Sequence, residues 1–393
     1  MPGTVWRLTI AYSLMMAGTS MMVLLAGIIG TEFAPSADLA TLPIALVVVG
    51  VAASTLPTGK FLHRFGRRRV FITYGFLAIA AALAAMQSLR SGTFTGFCIA
   101  ALMMGWAGAA GHQYRFAALE AVPAENAPKA TSFLLLGGIL AAFIGPELAV
   151  RGRALLDTEY AGSFLLLTFS YLSGLVIISF YRDAEPSHSD HLGSGRPLVE
   201  ILRSPAVILA ICAAALGYGI MSFLMTATPI SMHTHAGHSL ESTKFVIQSH
   251  IAAMYLPSLV FAWMYNRLGL RGMLWLGVGA YVVCLVIAAW NTEFLNYWLA
   301  LILLGIGWNF LFLSGTNLLP FGYRREERFR VQSVNDFLVF SVQALASLSS
   351  GWFLFHWQWA GVLAACIPLL IGFSIVLLLR GNAALRVEVS RSS

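Results

Sequence analysis

The sequence predicts an all-α integral membrane protein: twelve spanning helices in two pseudo-symmetric six-helix halves. Three observations predict it. First, hydrophobic residues make up 58% of the 393-residue chain and charged residues only 10%, with a mean hydropathy of +0.78, whereas a soluble domain carries about 25% charge. Second, apolar runs near the length that crosses a bilayer recur along the whole chain. Third, a polar motif near residue 60 returns, degenerate but aligned, 203 positions later.

The spans are expected at 6–30, 39–59, 69–88, 94–119, 130–150, 160–181, 204–230, 241–266, 271–290, 296–319, 329–350 and 353–379. The first follows Arg7 but is too long for a secretory leader and has no A-x-A-like cleavage site, so it reads as a retained helix. The second and third flank the basic stretch GKFLHRFGRRRV. The fourth carries Met103, Met104 and His112, and the fifth carries Gly137, Gly138, Gly145, Pro146 and Glu147. After the sixth comes the longest polar segment, RDAEPSHSDHLGSGRPLVEILRSP, whose Ser, Pro, Gly and charges mark a linker. It divides a bundle at 1–181 from a second at 204–393, with the linker at 182–203.

Charge orients the bundle. With twelve spans, the termini and the even-numbered connections share one side, and that side holds 19 of the 24 Lys and Arg residues. The positive-inside rule places both termini in the cytoplasm. The net charge of +7 is therefore topogenic, and no nucleic-acid partner is expected. Cys98, Cys212, Cys284 and Cys366 are scattered inside spans and form no disulfide framework.

The repeat sharpens the class. Gly59, His63, Arg64, Gly66, Arg67 and Arg68 follow span 2; Ala262, Asn266, Arg267 and Gly269 follow span 8 in the same register. Facing repeats with a midplane site are a transporter architecture. The first copy resembles the G-x-x-x-D-R-x-G-R-[KR] signature of the major facilitator superfamily, which implies that fold and secondary transport. The usual acid of the motif is His63 in one copy and Asn266 in the other. That departure puts the family's locking network in doubt.

One stretch suggests a binding site: MSFLMTATPISMHTHAGHSLESTKFVIQSHIAAM, Met221 to Met254. Residues four apart share a helix face, so Met221 pairs with Met225 and His250 with Met254. Either pair alone is close to chance. On consecutive antiparallel helices, however, Met221 and Met225 lie roughly 8–14 Å below the outer surface and His250 and Met254 roughly 14–20 Å below it. Thioether with imidazole suits a soft ion such as Cu(I), while packing methionines and one polar histidine explain the same residues without metal.

M-x-x-x-M followed by H-x-x-x-M resembles the pattern of CcoA-type copper importers of the same superfamily. The segments GHSLESTKFVIQSHIAAMYLPS and GHQYRFAALEAV carry the likeness further. The resemblance implies import of copper ion, as substrate rather than cofactor, across a bacterial cytoplasmic membrane for haem–copper oxidase assembly. Met221, Met225, His250 and Met254 would hold the ion. Met22 (which the 203-residue offset maps onto Met225), Cys212, and Met232, His233, His235 and His238 in an outer 7–8 loop are accessory candidates.

Ionisable residues inside spans are functional candidates by default. Asp336 is the best single candidate for proton coupling, and Arg115 with Glu120 are candidates for an ion pair within a gate. Gly145-Pro146 partly resembles the Gly-Pro motif of proton-coupled drug antiporters, which keeps open a carrier of a small organic solute. A non-transporting receptor or assembly partner is a further alternative. No nucleophile elbow or phosphate-cradling loop points to an enzyme. The expected partners are the copper ion and the lipid bilayer, with the protein a monomer.

Overall fold

A computed structural model describes residues 2–114, 117–118, 121–122, 127–182, 196–324 and 327–392. The regular structure of those residues is entirely helical, with no strand among them. The helices are α1 (Gly3–Phe33), α2 (Leu42–Phe65), α3 (Arg67–Arg90), α4 (Phe94–Gly108), α5 (Ala127–Gly152), α6 (Ala161–Ser179), α7 (Pro205–Pro229), α8 (Leu240–Tyr255), α9 (Ser258–Trp290), α10 (Phe294–Leu318) and α11 (Arg328–Ser392).

Two of these conceal a turn. α9 breaks at Gly269 (φ 65°) and α11 at Gln358 (φ 57°). The arm 258–268 continues the path of α8 past Pro257, whose missing N–H interrupts the ladder. Nine helical stretches among the described residues are long and apolar enough to cross a bilayer, and one of them, 330–379, holds both arms of α11. α5 and the 16-residue α8 are not among those nine stretches. Divided at the two breaks, and with α8 joined to its continuation, the described residues form the expected twelve helical segments.

Gly66 explains the register of the repeat. It has φ 78° and ψ 163°, and Gly269 has φ 65° and ψ 173°. Side chains rarely adopt that conformation and glycine does so freely. The aligned glycines of the two motif copies thus make the same helix-to-helix turn.

α1 packs against α5 and α6, α2 against α4, and α3 against α4 and α6; α7 packs against α10 and α11, α9 against α10, and α8 against α10. Contacts between the two sets run through α2 with α11, α5 with α8, and α1 with α7. Many gather at the end away from the chain termini. There Lys244 Nζ on α8 lies 2.8 Å from Glu147 Oε1 on α5, Thr41 packs on Gly351, and His356 lies 3.5 Å from Asp38.

At the opposite end, Glu327 fastens the end of the linker. Its carboxylate accepts hydrogen bonds from Arg196 (backbone N at 2.9 Å, Nε at 3.0 Å, Nη2 at 2.8 Å) and from the Arg324 backbone N at 2.8 Å. Arg196 is the principal cause that holds this carboxyl down, from an ordinary 4.5 to about 2. The middle of the linker, 183–195, lies outside the described residues.

Candidate functional site

α7 presents Met221 and Met225 one turn apart, both buried, and α8 presents His250 and Met254 in the same way. All four line one central cavity of about 180 Å³ between the two sets of helices. The convergence read from spacing is therefore present in the fold.

Local packing fixes His250. A Cβ on Gly305 of α10 would fall 2.7 Å from the His250 carbonyl oxygen and 3.0 Å from the Met254 nitrogen. Only glycine permits that approach, and it brings the His250 Nδ1 to 2.8 Å from the Leu301 carbonyl oxygen. Beside the break at Pro257, Asn309 Nδ2 donates to the Met254 carbonyl oxygen and to Ser258 Oγ, both at 2.7 Å. This buried amide braces the kinked end of α8.

The rest of the wall is uncharged, a mixture of aliphatic, aromatic and neutral polar side chains. Tyr218 meets Trp308 edge-on at 5.2 Å and 85°, Trp308 stacks on Phe312 at 5.1 Å and 15°, and Tyr255 meets Trp308 at 6.3 Å and 74°. Opposite, Tyr12, Thr19 and Ser20 of α1 face in, while His112 and Phe340 close one side with rings 5.3 Å apart. Among the described residues lining the cavity, none is Asp, Glu, Lys or Arg. A larger space of about 720 Å³ lies toward the lipid, between α9 and the last arm of α11, against the exposed Val286 and Ile371.

The accessory candidates are placed elsewhere. Met22 is fully buried and lines a small neighbouring void with Met15, Met16 and Met104. Cys212 packs at the edge of the core. The outer loop expected from Met232 onward is a correction: Ile230–His235 continues α7 as a π-type turn, and Met232 is fully buried. Its histidines are each held by a neighbour: His233 Nδ1 lies 2.8 Å from the His238 carbonyl oxygen, His238 Nε2 lies 2.8 Å from that of Thr292, and His235 is edge-on to Phe355. The apolar surroundings of α10 and α11 drew this segment into the helix.

Asp336 is half-buried on α11, where it accepts from Asn335 Nδ2 at 3.1 Å, one turn from Phe340. Arg115 and Glu120 lie outside the described residues, as does the His63 side chain. In the motif loop, Arg68 donates to the Ser179 carbonyl oxygen at 2.9 and 3.1 Å, and Arg64 and Arg267 lie over the Phe65 and Trp263 rings. Gly59 and Asn266 stand on the neighbouring helical turns. Gly145 packs tightly on Ala17 of α1, which makes the Gly-Pro pair a packing feature.

Sequence reasoning missed Tyr12, Tyr218, Tyr255, Trp308, Phe340 and Gln343 as cavity residues. In a chain that is 12% aromatic, residue type alone does not single them out. Asn309 carried a usable signal, as an amide in the middle of an apolar span.

Residues 8–347 match the Major Facilitator Superfamily. The chain belongs to that family. It is 34% identical over 375 residues to a riboflavin transporter, RfnT, of Brucella anthropi, spanning 93% of this chain and 94% of that one. It is 29% identical over 357 residues to an uncharacterized MFS-type transporter, YdeG, of Bacillus subtilis, covering 85% and 82%. Among solved structures it superposes on a bacterial homolog of the human lysosomal transporter Spinster, in an inward-facing, unoccupied conformation. The TM-score is 0.74 at 12% identity, covering 98% and 97%. An outward-facing bacterial homologue of the iron transporter ferroportin gives a TM-score of 0.64 at 16% identity, covering 95% and 99%. The protein is thus a multi-pass secondary transporter of the major facilitator type. The relative at 34% identity is named for an organic solute, and the finer likeness to copper importers finds no support in it.

Proposed function

We propose that this chain transports a small, uncharged, planar organic solute of the riboflavin kind. One observation carries the reading: aromatic rings and neutral polar groups stand among the aliphatic side chains of the central cavity, without a lysine, arginine or carboxylate among its described lining residues. A flat heterocycle stacks on such rings and exchanges hydrogen bonds with their neighbours, whereas an ionic solute needs an opposite charge in so apolar a place. The riboflavin-transporting relative, which matches nearly the whole chain, supports the same reading. The charge asymmetry supports a cytoplasmic-membrane location with both termini cytoplasmic, and the offset repeat supports a division into halves at 1–181 and 204–393.

Copper is the second reading, because Met221, Met225, His250 and Met254 line the same cavity. Paired uptake assays in cells decide between the two. Radiolabelled riboflavin uptake is expected above the vector control and at least about tenfold lower in Trp308→Ala, which removes a buried aromatic ring from the wall. Radio-copper uptake is expected at the control level. Copper uptake that is abolished by Met221→Ala and by His250→Ala, with no riboflavin uptake, would reverse the order.

A further inference from the structure

Two buried polar atoms in the cavity wall have no hydrogen-bond partner among the described residues: His250 Nε2 and Trp308 Nε1. Their side chains are 0% and 4% exposed, and both residues line the central cavity. The large majority of buried polar side-chain atoms are paired, so each one left over calls for an explanation.

Their chemistry is complementary. His250 Nδ1 lies 2.8 Å from the Leu301 carbonyl oxygen, an atom that can only accept, so Nδ1 carries the proton. In the neutral ring the other nitrogen then keeps an unpartnered lone pair, on a residue that lines the cavity. The indole Nε1–H of Trp308 can only donate. The wall therefore offers one fixed acceptor and one fixed donor, beside rings set edge-on at Tyr218 and Tyr255.

We infer that His250 and Trp308 are the polar recognition pair of the transported solute, and that the solute is a flat heterocycle with a lactam or imide edge. A ring N–H of that edge donates to His250 Nε2, and a ring carbonyl accepts from Trp308 Nε1–H. This rests on the planar-solute reading and narrows it. A carboxylate offers no donor to His250, a simple amine offers no acceptor to Trp308, and a sugar offers both but no face to stack. The isoalloxazine ring of a flavin has such an edge, with an imide N–H between two carbonyls.

The test is binding to the full-length protein in lipid nanodiscs. Tritiated riboflavin is displaced by unlabelled riboflavin or by riboflavin methylated at the imide nitrogen. In the wild type, methylation is expected to weaken binding about tenfold or more, the loss of one buried hydrogen bond with a steric penalty added. His250→Asn keeps an amide N–H directed at the Leu301 oxygen and removes the Nε2 lone pair. In that variant, riboflavin is expected to weaken about tenfold and the preference over the methylated form to fall below about threefold. Trp308→Phe keeps the ring and removes the N–H, so riboflavin again weakens while the methylation preference survives.

Equal binding of the two flavins in the wild type, a comparison that needs no substitution, overturns the inference and leaves the planar-solute reading standing. An unchanged methylation preference in His250→Asn overturns it as well. Failure of riboflavin to bind the wild type at all removes the planar-solute reading and this inference with it.

Discussion

Glu327 shows how much one side chain can organise. Nothing in RREERF distinguishes it from a solvated acid in a basic loop, yet its side chain is fully covered, and both oxygens accept from Arg196. Arg196 also donates to the Gly322 carbonyl oxygen and accepts on its own carbonyl from Arg330. The carboxyl, held at about 2 from an ordinary 4.5, has a folded-state value below its unfolded one. Its contribution to stability is therefore full above about 4.5 and lost as pH falls through about 2. Thermal melts of purified protein from pH 7 to pH 3 are expected to show wild type losing more stability than Glu327→Gln. At pH 7 the variant should be destabilised by about 2 kcal/mol, typical of a charge-assisted hydrogen bond left without its ion. Parallel melting curves for the two proteins across that range would refute the linkage.

At the scale of elements, the two glycine turns are the cleanest case of a structure written in sequence. Gly66 and Gly269 sit 203 residues apart with φ of 78° and 65°. Replacing either with alanine forces a Cβ into a positive-φ extended conformation that is essentially glycine's alone, at about 1–3 kcal/mol. Gly66→Ala and Gly269→Ala are expected to lower the unfolding midpoint by similar amounts. At Gly269 the cost is purely conformational, because an added Cβ there meets nothing within 4 Å. A neutral result at one site alone would show that the two turns are not equivalent. These elements were legible because span length, basic loops and an aligned glycine are local properties of the chain. The helical residues 230–235 were not legible: His, Thr and Ser read as loop by composition, and only packing around Met232 draws them into α7. The cavity was half-legible for a related reason. Methionine and histidine at i,i+4 form a pattern, but which of 26 Phe, 12 Tyr and 10 Trp face inward is decided by how helices rotate against one another. Trp308 and Tyr218 belong to that class, and so does the Gly305 approach that orients His250.

For the whole molecule, the placement of contacts between the two sets of helices bears on alternating access. At the end away from the termini, α5 and α8 are joined by Lys244 to Glu147 at 2.8 Å and by Gln248 Nε2 to the Phe143 carbonyl oxygen at 3.4 Å. Glu147 is also held by Arg151 at 3.0 Å, and Lys244 by Glu241 at 2.7 Å. Lys244 reaches a carboxylate on the opposing set, and its side chain is mostly covered while Glu147 is about one-third exposed. A part-exposed pair of this kind contributes about 0.5–1 kcal/mol, which shifts a two-state equilibrium about two- to fivefold. Lys244→Met, which keeps the aliphatic stem and removes the charge, is thus expected to raise the population opened at this end by that factor. Ser222, which lines the cavity, reports on the opening once replaced by cysteine. A membrane-impermeant maleimide applied from the side away from the termini should label Ser222→Cys about two to five times faster in the Lys244→Met background, and high salt should shrink the difference. Labelling that is equally fast with and without Lys244 would mean that the apolar contacts around Thr41 and Gly351 hold this end closed, with the ion pair only a passenger.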